Sequence, residues 1–90
     1  MEQSNVVEKD LIIKNKLGLH ARPAALFVQI AKKYDAEITV RKGEQLVNGK
    51  SIMGIMMLAA SRGSKIYIVA KGDDAREAVA ELEKLMVDRE

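Results

Sequence analysis

Apolar positions along this chain recur in two rhythms, one of period two and one near 3.6, and the switches between them mark out the elements. Val7 to Ile13 is rich in branched aliphatics and reads as a strand, although Leu11-Ile12-Ile13 departs from strict alternation. Ala36, Ile38 and Val40 alternate with Glu37, Thr39 and Arg41, a strand with one dry face. Lys42-Gly43-Glu44 then serves as a turn into a short return strand, Gln45 to Val47. Ile66, Ile68 and Ala70 alternate with Lys65, Tyr67, Val69 and Lys71 in a fourth strand.

The helical rhythm appears between these strands. Ala24, Phe27, Val28 and Ala31, and equally Phe27, Ile30, Ala31 and Tyr34, fit an i, i+3, i+4, i+7 stripe, with Gln29, Lys32 and Lys33 on the wet side. Pro23 is tolerated only in a first turn, so this helix begins at about His20 or Ala21. Asn48-Gly49 marks a turn, and Ser51 is placed to cap a short helix running to about Ala60, with Gly63 as its C-terminal glycine. After Gly72, Asp73 or Asp74 caps a last helix, with Glu77 as capping-box partner. The inner stripe of that helix is Ala75, Ala78, Val79, Leu82, Leu85 and Met86. The order βαββαβα predicts an α+β fold, a four-stranded antiparallel sheet covered on one face by helices. One domain is expected over residues 1–90, with 1–6 a frayed lead-in.

Composition narrows the function without naming it. Ninety residues can bury one modest core. No apolar run approaches the ~20 residues of a bilayer span, and nothing resembles a secretory signal, so a cytoplasmic protein without membrane insertion is expected. There is no cysteine and one histidine, which argues against disulfides and zinc. The formal charge is +2 with basic and acidic residues interleaved, and the only aromatics are Phe27, Tyr34 and Tyr67. That pattern lacks both the basic block and the stacking platform of a nucleic-acid binder.

The chemistry concentrates in Gly18-Leu19-His20-Ala21-Arg22-Pro23-Ala24. A lone histidine is usually structural, and Arg22 could be a surface cation. Yet a helix N-cap favours Ser, Thr, Asp or Asn, and a cation in the first turn opposes the dipole. Two adjacent residues that local helix stability did not select suggest a site. Imidazole can be neutral and nucleophilic near pH 7, and the Ala21 and Arg22 amides at a helix start attract anions. A nucleophilic nitrogen, a guanidinium and free amides together can hold a phosphoryl group. No Walker-type loop, nearby carboxylate or metal ligand supports hydrolysis or nucleotide-driven transfer; passing a phosphoryl group between proteins needs none of these.

A second segment, Ser51-Ile52-Met53-Gly54-Ile55-Met56-Met57-Leu58-Ala59-Ala60, is apolar almost all round. Ile55, Leu58 and Ala59 form one stripe, and Met53, Met56, Met57 and Ala60 another; only one can face the core. The second is either packed or an exposed Met-rich patch suited to several partners. Ser51 is a cap, and a phosphate there would also sit well on a helix start.

At these residues the sequence resembles the HPr family, histidine-containing phosphocarriers of the bacterial phosphoenolpyruvate-dependent phosphotransferase system. The likeness spans about Val7 to Met86 and rests on the His20 motif and on Asn48-Gly49-Lys50-Ser51-Ile52-Met53-Gly54-Ile55-Met56. It implies an open-faced β-sandwich with strand order 1-4-2-3 and three helices on one face. It implies further that His20 takes phosphate on Nδ1 from phospho-enzyme I and passes it to a histidine of an enzyme IIA domain, with Arg22 steadying the group. Ala25, Ile52, Met53, Met56 and Met57 would form the docking surface. Ser51 would be a regulatory phosphorylation site for an HPr kinase/phosphorylase, with a transcription regulator as a further partner. Such a protein is a monomeric carrier and not an enzyme, and it uses no cofactor or metal. The extra N-terminal residues and the Lys42-Gly43-Glu44 turn depart from the family pattern, away from the site. Lys14-Asn15-Lys16-Leu17-Gly18 is similar to the nitrogen-related branch, so carbon and nitrogen roles stay open. No glutamine replaces the histidine. The competing reading is a regulatory interaction module binding enzymes or transcription factors through the Met-rich helix; a small nucleic-acid binder ranks third.

Overall fold

Alternation along the strands sorts their side chains onto two faces, and the buried set Leu11, Ile38, Val40, Ile66, Ile68 and Ala70 gathers on one of them. The computed structural model describes residues 5–87. Its elements are β1 (Val6–Ile12), α1 (Ala21–Lys32), β2 (Glu37–Lys42), β3 (Gln45–Asn48), α2 (Ile52–Met57), β4 (Lys65–Lys71) and α3 (Ala75–Val87). The strands form one antiparallel sheet in the order β1-β4-β2-β3. On the dry face α3 packs against β1 and β4, α1 lies beside α3, and α2 bridges α1 and β3. Phe27 of α1, Ile55 of α2 and Leu82 of α3 are wholly buried between the layers.

The Leu11-Ile12-Ile13 run keeps its alternation after all. Leu11 and Ile13 are buried, while Ile12 turns to the open face of the sheet. On that face Tyr67 donates to Glu8 at 2.5 Å, and the Arg41 guanidinium lies 4.8 Å from the Tyr67 ring centre. Accepting by Glu8, then burial, raises the Tyr67 pKa above its usual 10.0. Of the segment expected to fray, residues 1–4 lie outside the described part, whereas Val6 already pairs with Lys71 and Asn5 accepts from the Gly72 amide.

Two helix ends differ from expectation, each for a tertiary reason. Helix α2 stops at Met57 rather than near Ala60. Ala59 takes the left-handed conformation (φ 50°) that ends it, so Gly63 is not its cap. Gly63 instead donates to Ile13 in a turn leading to β4, where φ is +90°. Ala60 is buried because its carbonyl accepts from Leu19 and holds the β1–α1 loop. Asp74 occupies the start of α3, its carbonyl accepting from Ala78, but its carboxylate does not cap that helix. The two oxygens accept from the Asp35 and Ala36 amides, at 2.8 and 2.9 Å, and so clamp the α1–β2 connection. Two orphan donors elsewhere in the fold outcompeted the local cap, and the Asp74–Glu77 capping box does not form.

Candidate functional site

The β1–α1 loop is locked before it delivers His20. Gly18 has φ +75°, and a Cβ there would lie 2.6 Å from the Ala60 carbonyl oxygen and 2.8 Å from the Ser61 Cα. Only glycine satisfies both the backbone and the space. Leu19, buried, donates to Ala60 at 2.8 Å. The next residue therefore emerges at a defined place on the surface.

His20 is the N-cap of α1, with extended backbone (φ −88°, ψ −166°), and its side chain makes no capping hydrogen bond. The imidazole is exposed, as are Ala21 and Arg22. The His20 carbonyl accepts from Ala24, which closes the first turn. The third helical position is Pro23, which has no N–H, so the unpaired donors of this helix start are the Ala21 and Arg22 amides. There is no acidic residue in the first turn to neutralise them. Among the described residues no carboxylate pairs with Arg22. Unpaired amides, a helix dipole and a guanidinium give this corner positive potential directly beside a nucleophilic ring.

One side of His20 opens into a groove of about 760 Å³ between α1 and α3. Leu17, Leu26, Ile30 and Leu85 supply its apolar surface, and Lys16 and Lys84 add two cations. Asn15, on the same wall, reaches the Leu85 carbonyl at 3.5 Å, and its side-chain oxygen has no partner. Glu81, the single carboxylate on the groove wall among the described residues, is held by Lys33 at 2.6 Å and Tyr34 at 2.5 Å. Accepting from Lys33 and then from Tyr34 lowers its pKa, and the same bond raises that of Tyr34. The sequence reading missed this groove. Leu26 lies outside both stripes of α1, which was the local signal; Lys84 and Leu85 come from far along the chain and gave none.

The second expected site lies at the start of α2. Ser51 Oγ accepts from the Gly54 amide at 3.0 Å, a capping bond that puts Ser51 where it was expected. The preceding turn is tight: Asn48 accepts through its side chain from Lys50 and through its carbonyl from Ser51. Gly49 presses on Ile38. Ile55 and Leu58 face the core, leaving Ile52, Met53, Met56 and Met57 exposed. The Met-rich stripe is therefore a surface patch. Ala59, assigned to the inner stripe, is exposed, and Ala60, assigned to the outer one, is buried beyond the helix end. Ala25 is half-buried on α1, the helix against which α2 packs.

Among the described residues no cluster of three His, Cys, Asp or Glu side chains could hold a metal ion, and no helix is long and apolar enough to cross a membrane.

Comparison with known proteins places this geometry in context. Residues 7–88 match the family model described as PTS HPr component phosphorylation site. The HPr-like protein Crh of Halalkalibacterium halodurans is 49% identical over 77 residues, covering 86% of this chain and 92% of that protein. The phosphocarrier protein HPr of Neisseria meningitidis is 44% identical over 81 residues, covering 90% and 91%. The crystal structure of a phosphocarrier protein HPr from Bacillus anthracis superposes with a TM-score of 0.87 at 48% identity, covering 90% of this chain and 96% of that one.

Proposed function

This chain belongs to the HPr family of the phosphotransferase system, and we propose that it carries a phosphoryl group on His20. The reading rests on one observation: an exposed imidazole at a helix start, making no cap bond, beside the two unpaired amides of Ala21 and Arg22. His20 Nδ1 attacks the phosphorus of the phosphohistidine on enzyme I, itself charged by phosphoenolpyruvate. The new N–P bond forms as the old one breaks, and the enzyme I imidazole leaves. The amides of Ala21 and Arg22 donate hydrogen bonds to the phosphoryl oxygens, and the Arg22 guanidinium adds a charge-assisted contact. A histidine of an enzyme IIA domain then takes the group by the same exchange.

Nothing in this cycle hydrolyses or retains the cargo, so on this reading the protein acts as a co-substrate rather than as an enzyme. Ala25, Ile52, Met53, Met56 and Met57 form the docking surface. A phosphate on Ser51 would exchange a neutral capping oxygen for a dianion at the rim of that surface, weakening acceptance from enzyme I. Incubation with phosphoenolpyruvate and enzyme I is expected to label one acid-labile position. Equal labelling of His20→Ala would overturn the assignment.

A second reading is favoured by the similarity to Crh and by the exposed α2 patch: a regulatory module that binds an enzyme or transcription factor. It predicts partner binding that survives His20→Ala, and loss of that binding with the substitution would count against it. The two roles can coexist on one protein.

A further inference from the structure

The sulfur chemistry of this protein is confined to thioethers, because the chain has five methionines and no cysteine. Among the described residues the exposure of the methionines is sharply divided. On α2, Met53 is 70% exposed, Met57 63% and Met56 42%, whereas Met86 on α3 is fully buried. The three exposed residues share one side of a helix whose other side, through Ile55 and Leu58, anchors it in the core. Their sulfurs thus contribute to what the helix touches outside, not to what holds it in place.

We propose that Met53, Met56 and Met57 form an oxidation-sensitive switch on the docking face, a proposal that rests on the docking role given above for α2. The oxidant is a peroxide. A thioether lone pair attacks one oxygen of hydrogen peroxide, the S–O bond forms as the O–O bond breaks, and the proton on the transferred oxygen passes to the departing hydroxide, leaving a sulfoxide and water. Sulfur loses two electrons and the peroxide gains them. The product sulfoxide is polar and chiral, poorly matched to an apolar contact that a flexible thioether suits. A methionine sulfoxide reductase reverses the change. Ile55 and Leu58 stay buried and the Ser51 cap stays in place, so the fold persists while the contact is lost.

The test treats the intact protein with hydrogen peroxide and maps the sulfoxides by peptide mass spectrometry. Met53, Met57 and Met56 should be modified well before Met86, with the thermal transition unchanged. The rate of labelling by phosphoenolpyruvate and enzyme I, at limiting carrier, should fall about tenfold, the scale expected for losing a central apolar interface contact. Reductase treatment should restore it. In the triple variant Met53→Leu/Met56→Leu/Met57→Leu, whatever its starting rate, peroxide treatment should leave that rate unchanged; a tenfold fall on treatment would place the sensitivity elsewhere. A fully sulfoxidised protein that labels as fast as the parent overturns the proposal alone. A parent that accepts no label overturns the phosphocarrier reading and the switch together.

Discussion

Helices α1 and α2 both start next to a turn on the same side of the sheet, yet their first turns are finished in opposite ways. At α2 the chain satisfies itself: Ser51 Oγ accepts from Gly54, and Asn48 secures the turn before it. At α1 the N-cap is His20, whose side chain makes no capping bond, and the Ala21 and Arg22 amides stay open. The first arrangement is what stability alone would select. The second leaves donors unpaired and sets a cation against the dipole, an arrangement that costs local stability and that suits an incoming anion. A closed helix start and an open one thus stand side by side within a single small protein, and the proposed function falls on the open one.

The contrast breaks most severely if the open end is displaced. Gly18→Ala places a Cβ against the Ala60 carbonyl at a positive φ, and we expect a loss of ~3 kcal/mol, measured by denaturant unfolding, together with loss of labelling. A variant of parental stability would mean that the loop is not held as described. Removing the closed cap is milder. Ser51→Ala should cost about 1 kcal/mol, seen as a fall of a few degrees in Tm, while labelling by enzyme I continues.

Closing the open end tests the same comparison in reverse. His20→Ser offers a hydroxyl to the Arg22 amide and should stabilise the fold by about 0.5 kcal/mol while abolishing acid-labile labelling. An unchanged or lower Tm would show that the corner was not short of a cap. The smallest effect belongs to the far end of the groove, where Lys33 and Tyr34 lower the Glu81 pKa. A carboxyl with a depressed folded pKa adds stability above its usual value of 4.5, and that contribution is lost as pH falls through the folded pKa. Glu81→Gln should therefore be slightly less stable than the parent at pH 7, and the two unfolding curves should converge in acid. A difference independent of pH would assign the effect to packing.

Much of this was legible because it is local. Pro23 fixed the start of α1 to within a residue, the period-two runs located β2 and β4, and the Ala75–Met86 stripe is the buried side of α3, with only Leu85 half exposed. The His20 corner could be read for the same reason: nucleophile, amides and guanidinium lie within three residues. What escaped depends on partners distant in the chain. Asp74 looks like a cap until the Asp35 and Ala36 amides are brought to it. The end of α2 is set by the demand that Ala60 meet Leu19, at the expense of a left-handed Ala59. The groove joins Leu17 and Leu26 to Lys84 and Leu85, a juxtaposition that no window of sequence contains. The Met-rich stripe lay between these cases: its two possible orientations were evident, and only the burial of Ile55 and Leu58 selected one.

In the proposed function the open amides of α1 receive the phosphoryl oxygens. Nitrogen-edited NMR of the protein, before and after charging with phosphoenolpyruvate and enzyme I, tests it most directly. One phosphoryl group is expected on His20 Nδ1, with the largest amide shifts at Ala21 and Arg22 and little change at Gly54. A phosphoryl group on His20 that leaves the Ala21 and Arg22 amides where they were, or one carried by another residue, would contradict it.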